Sequence, residues 1–258
     1  MRARLVAALL LATLVAAGCG ADAAEPSPPS HKVGRTLHRA VPDHIASVPL
    51  TTASGTRTTL EAYRGKVVVM VDASTLCQET CPLDTANFVH MARTLQRQGL
   101  GDEVQLLEVT MDPRRDTPAR MRAYQKLYAD PPPDNWTFVT GSTEQLRPLW
   151  RFFWFAREKQ PIEESPAPRD WMTGKPLAYD MNHNDVVAFL DRKGRERFVI
   201  VGQGDARSSR LPKALRRFLN DQGVQDLQHP RSGAWKPEQA LQAVSWLLGQ
   251  DVTKQSGS

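Results

Sequence analysis

Cys77 and Cys81 are separated by three residues in STLCQETCPLD. Two thiols at that spacing can grip one soft metal ion, cycle between dithiol and disulfide, or form a static bridge. Residues i and i+4 share a helix face, with Cα atoms about 6 Å apart. That distance suits two thiolates on one ion and lies near the upper range for a disulfide. A bridge across so short a loop constrains the unfolded chain little, so an active role outweighs a purely structural one. Thiolates are soft ligands that favour Cu(I). The pair also sits where a strand pattern gives way to a helix pattern. Unpaired N–H groups at a helix start favour thiolate over thiol.

The elements that must position this pair are readable around it. VVVMVDA (67–73) is a continuous apolar, mostly β-branched run, the pattern of a buried central strand. Leu83, Phe88, Met91 and Leu95 fall near helical spacing after Pro82, which fits a first helical turn. VQLLEVTMD (104–112) predicts a second buried strand, Pro118 to about Tyr128 a helix, and WTFVT (136–140) a third strand. Ser142 caps a helix reaching about Phe155, in which most of the aromatic residues from Trp150 to Phe155 belong to the core. Residues 157–180 read as a long loop. VVAFLD (186–191) and ERFVIV (196–201), joined through Lys193-Gly194, predict a hairpin, and Ser208 or Ser209 starts a helix to about Leu219. ASVPLTTASGTRTTL predicts an N-terminal hairpin. Alternating strands and helices give an α/β fold: a central mixed sheet flanked by helices, with an antiparallel edge.

The ends of the chain read differently. MRARLVAALLLATLVAAGC (1–19) has charged, apolar and small-residue regions in the order of a secretory signal, and its apolar run is too short for a comfortable transmembrane span. Ala16-Ala17-Gly18-Cys19 resembles a bacterial lipobox, so Cys19 is expected to carry lipid and tie the chain to a membrane. Residues 20–45, with AEPSPPS, read as a flexible tether, 46–224 as the folded domain, and 225–258 as an extension with a helix over 237–249. That extension could dock on the domain or on a partner. Apolar content of 41% and charged content of 24% place the chain among globular proteins. The net charge of +5 includes two leader arginines, and no basic stripe with interleaved aromatics exists, which argues against a nucleic-acid partner.

LEAYRGKVVVMVDAST, CQETCPLD, TMDPRRDTPARM, WTFVTGSTEQLRPLW and MNHNDVVAFLDRKGR together resemble the Sco/SenC family. TMDPRRDTP is the most specific of them. The likeness covers roughly residues 45–222. It implies a thioredoxin-like fold and a copper ion, Cu(I) or Cu(II), bound by Cys77, Cys81 and His183. It further implies delivery of copper to the CuA-carrying subunit of cytochrome c oxidase, or to another exported cuproprotein. The alternative within the family is an exported thiol-disulfide oxidoreductase using Cys77 and Cys81 as its redox pair. The family usually has a proline where Gln78 stands, so the loop between the cysteines departs from the pattern. The localisation that follows is the bacterial cell envelope, facing the periplasm or extracytoplasmic space.

His183 stands out among the six histidines only through that motif; a lone histidine is more often structural. Asp112, at the end of a strand near the cysteines, is a candidate for orienting a ligand, or it makes a turn with Pro113. Asp116 reads as the cap of the helix at Thr117-Pro118. Met111, Met172 and Met181 are soft enough to touch copper but read as filler. A peroxidase fits less well, because it would use a lone reactive cysteine.

Overall fold

The computed structural model describes residues 26–253; the leader, Cys19 and the first part of the tether lie outside the described residues. The described strands are β1 (Arg35–Ala40), β2 (Leu50–Thr52), β3 (Arg57–Thr58), β4 (Val67–Ala73), β5 (Val104–Thr110), β6 (Trp136–Thr140), β7 (Arg157–Gln160), β8 (Asp180–His183), β9 (Val186–Leu190) and β10 (Arg195–Val201). The helices are α1 (Asp43–Ala46), α2 (Cys81–Arg97), α3 (Pro118–Tyr128), α4 (Thr143–Phe152), α5 (Lys213–Arg216), α6 (Asp221–Gln228) and α7 (Pro237–Leu248).

Eight strands form one mixed sheet in the order β1-β10-β9-β4-β5-β6-β2-β3, and β7 and β8 form a separate antiparallel ribbon. β4, β5 and β6 run parallel, while β9 returns antiparallel beside β4. All seven residues of β4 and of β5 are buried, as their apolar runs require for strands covered on both faces. Alternate residues feed two cores. Val67, Val69 and Val71 pack with α2, α3 and α7, whereas Val68 and Met70 pack with α1 and α4. The result is the α/β arrangement, a central mixed sheet flanked by helices, that the alternating pattern predicts.

Four local expectations change. RTLHRA, read as tether, is the edge strand β1 on β10. The loop 157–180 is not free: its start is β7, paired with β8 from Arg157↔His183 to Gln160↔Asp180. The helix after Ser142 ends at Phe152, and the helix expected from Ser208 or Ser209 shortens to α5 and is followed by α6. The C-terminal helix docks on its own domain. Trp235, Leu241, Val244 and Val252 join the core cluster that contains α2 and β4.

Glu108, in the middle of β5, is fully buried. It accepts hydrogen bonds from Thr85 Oγ1 (2.9 Å) and Trp136 Nε1 (2.8 Å). Burial raises its pKa from 4.5 to about 8, against the lowering effect of those two donors. The folded state therefore holds this proton more tightly than the unfolded chain does. The group's contribution to stability is fully present below about pH 4.5 and is lost as pH rises through about 8. Glu108→Gln should flatten that slope and leave the variant more stable than wild type by a few kcal/mol at about pH 9. Urea midpoints of both proteins from about pH 5 to pH 9 check this; parallel curves would contradict it.

Candidate metal centre

The end of β4 and the start of α2 bring the two cysteines together, although not on one helix face. Residues 74–80 are an irregular turn, and α2 begins only at Cys81, with Pro82 in its first turn. The backbone N–H of Ser74 donates to Cys81 Sγ at 3.2 Å. His183 comes from the far side, as the last residue of β8. Its Nε2 lies 3.0 Å from Cys81 Sγ. Cys77 Sγ, Cys81 Sγ and a His183 ring nitrogen all fall within 4.8 Å of one another. Among the described residues this is the one group of three metal-ligating side chains that converges in this way. Both cysteines are free thiols, Cys77 being 8% exposed and Cys81 1%.

A residue that the sequence reading passed over holds the histidine. Asp72, the sixth residue of β4, accepts from His183 Nδ1 with Oδ2 at 2.7 Å and from the Val186 N–H with Oδ1 at 2.8 Å. A carboxylate on one imidazole nitrogen leaves the other facing the ligand position and raises its basicity. The missed signal was a charged residue inside an otherwise apolar strand. Asp84 and Asp185 stand nearby. Burial raises both, and each is further raised by the negative charge of Asp72; Asp185 reaches about 6. Of the three, Asp72 is the one whose carboxylate contacts the histidine.

The three side chains are electrostatically unequal. The Cys77 thiol is drawn well below its ordinary value, first by a hydrogen bond from Cys81 and then by His183, against burial. Cys81 is pushed well above its own value by burial and by the adjacent Cys77 sulfur. The helix-start expectation fails at Cys81, which opens α2, because burial wins there; Cys77 precedes α2 and is lowered chiefly by Cys81 and His183 instead. Burial pulls His183 down, but its contacts with Asp72 and Cys77 carry it well above the ordinary histidine value.

The turn carrying Cys77 is fixed on two sides. Asp116 Oδ1 accepts from the Thr75 N–H (3.2 Å) and hydroxyl (2.5 Å), and its Oδ2 accepts from Thr110 Oγ1 (2.6 Å). Trp171 Nε1 donates to the Thr75 carbonyl at 2.6 Å. Asp116 thus braces the cysteine turn, while the cap of α3 is Thr117. Gln78, between the cysteines, exchanges hydrogen bonds with the Phe218–Asn220 segment: Gln78 Nε2 donates to Phe218 O (2.8 Å) and Asn220 N donates to Gln78 O (3.0 Å). Gly223 of α6 approaches so closely that a Cβ there would sit 2.3 Å from Gln78 O. Asp112 has no hydrogen bond to a ligand. It pairs with Arg115 and accepts from Tyr179 Oη at 3.0 Å, anchoring the chain just before β8. Met111 and Met181 are buried in the opposite core, and Met172 is exposed; none belongs to the ligand group.

With this geometry in view, the comparisons with known proteins are decisive. A model of the SCO1/SenC family matches residues 39–220. This chain belongs to the SCO1/SenC family. It is similar to "Protein SCO2 homolog, mitochondrial" of Mus musculus, 28% identical over 135 residues, which span 52% of this chain and 50% of that protein. The protein of the same name from Bos taurus is 33% identical over 91 residues, spanning 35% of this chain and 33% of that protein. The chain therefore spans about half or less of the length of the curated relatives it matches. Among solved structures, Bradyrhizobium japonicum ScoI with copper bound is similar, with 22% identity and a TM-score of 0.48, over 67% of this chain and 97% of that one.

The protonation pattern of this SCO1/SenC site makes two predictions. An ion held by all three side chains must displace the Cys81 thiol proton and the proton on His183 Nε2, both held above their ordinary values. Loading with Cu(I) should therefore release protons and tighten as pH rises from about 6 to 8. Calorimetry in buffers of different ionisation enthalpy measures this, and loading with no proton release would contradict it. Separately, Gly223→Ala should push the turn between the cysteines out of place. We expect thermal stability to fall and the Cys77 reaction rate with a thiol reagent to change at least several-fold; an unaltered rate would contradict this.

Proposed function

We propose that this chain is a copper-binding metallochaperone that assists assembly of the CuA centre of cytochrome c oxidase. The observation that carries this reading is the convergence of Cys77, Cys81 and His183 within 4.8 Å, in a chain of the SCO1/SenC family. The donor set fits the cargo. Two sulfurs suit Cu(I), and an imidazole tolerates both Cu(I) and Cu(II), so the ion can change oxidation state without leaving. Asp72 backs the imidazole from behind. Transfer proceeds by stepwise ligand exchange, in which a partner's thiolates replace Cys77, Cys81 and His183 in turn. The partner is the oxidase subunit that carries CuA, or another exported cuproprotein.

The cellular setting follows from the leader. Residues 1–19 are read as a lipoprotein signal, Cys19 as the lipidated residue, and the following segment as the tether that gives the domain its reach. The site then faces the periplasm or extracytoplasmic space of a bacterial envelope. No helix among the described residues is long and apolar enough to cross a membrane.

A second reading is a thiol-disulfide oxidoreductase, and the inequality of the cysteines favours it. The Cys77 thiolate would attack one sulfur of a partner disulfide and expel the other as a thiolate. Cys81, losing its proton, would then attack Cys77 Sγ and release the partner's remaining sulfur as the second thiolate. The partner gains two electrons and Cys77–Cys81 becomes the disulfide.

Titration of residues 20–258 with Cu(I) and Cu(II) under reducing, anaerobic conditions tests the first reading. Wild type should bind one copper per chain, and His183→Ala should weaken binding at least tenfold. Weak binding that His183→Ala leaves unchanged would overturn the copper site and leave the reductase reading, whose defining quantity is the Cys77/Cys81 reduction potential.

A further inference from the structure

His183 is held from two directions, and only one of them is Asp72. The Asp72 carboxylate orients the ring through Nδ1. The backbone that carries the ring is set by the next residue, Asn184. Its side-chain amide reads a stretch of main chain at the end of α4. Asn184 Nδ2 donates to Trp154 O at 2.8 Å, and Asn184 Oδ1 accepts from the Ala156 N–H at 2.7 Å. Its own N–H donates to Ala156 O at 3.3 Å. Its carbonyl stands 3.0 Å from His183 Nδ1, beside the Asp72 contact.

The partner of this clamp is strained. Trp154 has φ of 58°, and among the described residues it is the one non-glycine residue with positive φ. A left-handed conformation is unfavourable for a bulky residue and persists where surrounding contacts enforce it. Those contacts are present. Arg39 stacks on both Phe152 and Trp154, 3.9 and 4.0 Å from their ring centroids. Arg39 also pairs with the buried Glu196. The left-handed turn leaves the Trp154 carbonyl and the Ala156 N–H as the acceptor and donor that one primary amide bridges.

His183 also lines a surface groove with Ala156, Arg157, Glu158, Asn182 and Asn184, although its own side chain is only 3% exposed. The part of His183 that meets the groove is therefore its main chain, and the ring itself is enclosed. We propose that Asn184 is a positioning residue that fixes the end of β8 to the Trp154 turn, holding His183 over the two sulfurs. This inference rests on the reading of Cys77, Cys81 and His183 as a copper site, and its test separates the two.

The full chain is compared with Asn184→Ala, Asn184→Asp and, as a control on the same ribbon, Asn182→Ala. Copper affinity, the sulfur-to-copper charge-transfer spectrum of the Cu(II) form and the thermal midpoint are recorded for each. Asn184→Ala should weaken copper 10- to 100-fold, the range for loss of an outer partner of a ligand, and should shift the spectrum. Asn184→Asp keeps the acceptor for Ala156 and should fall between; Asn182→Ala should match wild type. Wild-type affinity and spectrum in Asn184→Ala would overturn the proposal. If Asn184→Ala does not fold, Asn184→Asp carries the same comparison. The ring nitrogen resonances of His183 in the reduced, metal-free protein decide independently of copper. They should be single and sharp in wild type and broadened or doubled in the Asn184 variants. Unchanged resonances would overturn the positioning role. A wild type that binds no copper would instead overturn the metal reading and leave that role to the resonances.

Discussion

The hydrogen bonds of Asp72 join the sheet to the site. Its position is dictated by the strand: β4 is buried along its whole length, so a carboxylate near its end lies in a low-dielectric setting. Such a group is tolerated only where its lone pairs are engaged. Here the engagement is divided. One oxygen takes the Val186 N–H at the start of β9, which pairs with β4, and the other takes His183. The same residue thus fixes where β9 begins and how the imidazole turns. A substitution that kept the strand but lost the carboxylate would leave His183 with a weak partner and Val186 with an unpaired N–H.

Around that anchor, each ligand has a separate support. Cys81 receives the Ser74 N–H and sits at the start of α2. The cysteine turn is held through Thr75, whose donors engage Asp116 and whose carbonyl engages Trp171. That second contact ties the segment between β7 and β8 to the cysteine turn. Trp171 and Leu177 pack with the core, and Asp170 pairs with Arg120. The segment is long because it must run from the end of β7 across the cysteine turn and back to β8. A preorganised site lowers the ordering cost of capturing an ion.

Much of this was legible in the sequence, and the boundary between what was and was not is physical. Strong local patterns survived: the apolar runs of β4, β5 and β9, the cap at Ser142, and the cysteine pair. Non-local pairing did not. RTLHRA is an edge strand with alternating exposure and few apolar residues, so nothing in its composition separates it from tether. REKQ becomes β7 only because DMNH lies opposite. α6 was missed because DQGVQDLQ carries a glycine, a poor helix former whose use here is close approach to Gln78. At the site, the chemistry of the cysteines identified them directly. His183 was identified only by its motif. Asp72 and Asn184 act through another residue, so neither carried a ligand's signature.

The three ligands also differ in what holds them once the cargo is set aside. Cys81 is nearly inaccessible and takes a main-chain donor; His183 is braced by Asp72 and by the segment around Asn184. Cys77 lies in the irregular turn before α2, and its thiolate is stabilised mainly by the other two ligands, with the Glu79 backbone adding least. It is also the more exposed sulfur. A group whose support comes chiefly from its fellow ligands is the one that an incoming thiolate can displace with the least loss of hydrogen bonding to the rest of the fold. Exchange should begin at Cys77 and end at the His183 and Cys81 side, where the protein holds its donors in place. The same asymmetry sets the order of a thiol-disulfide reaction, so one arrangement of burial serves either chemistry.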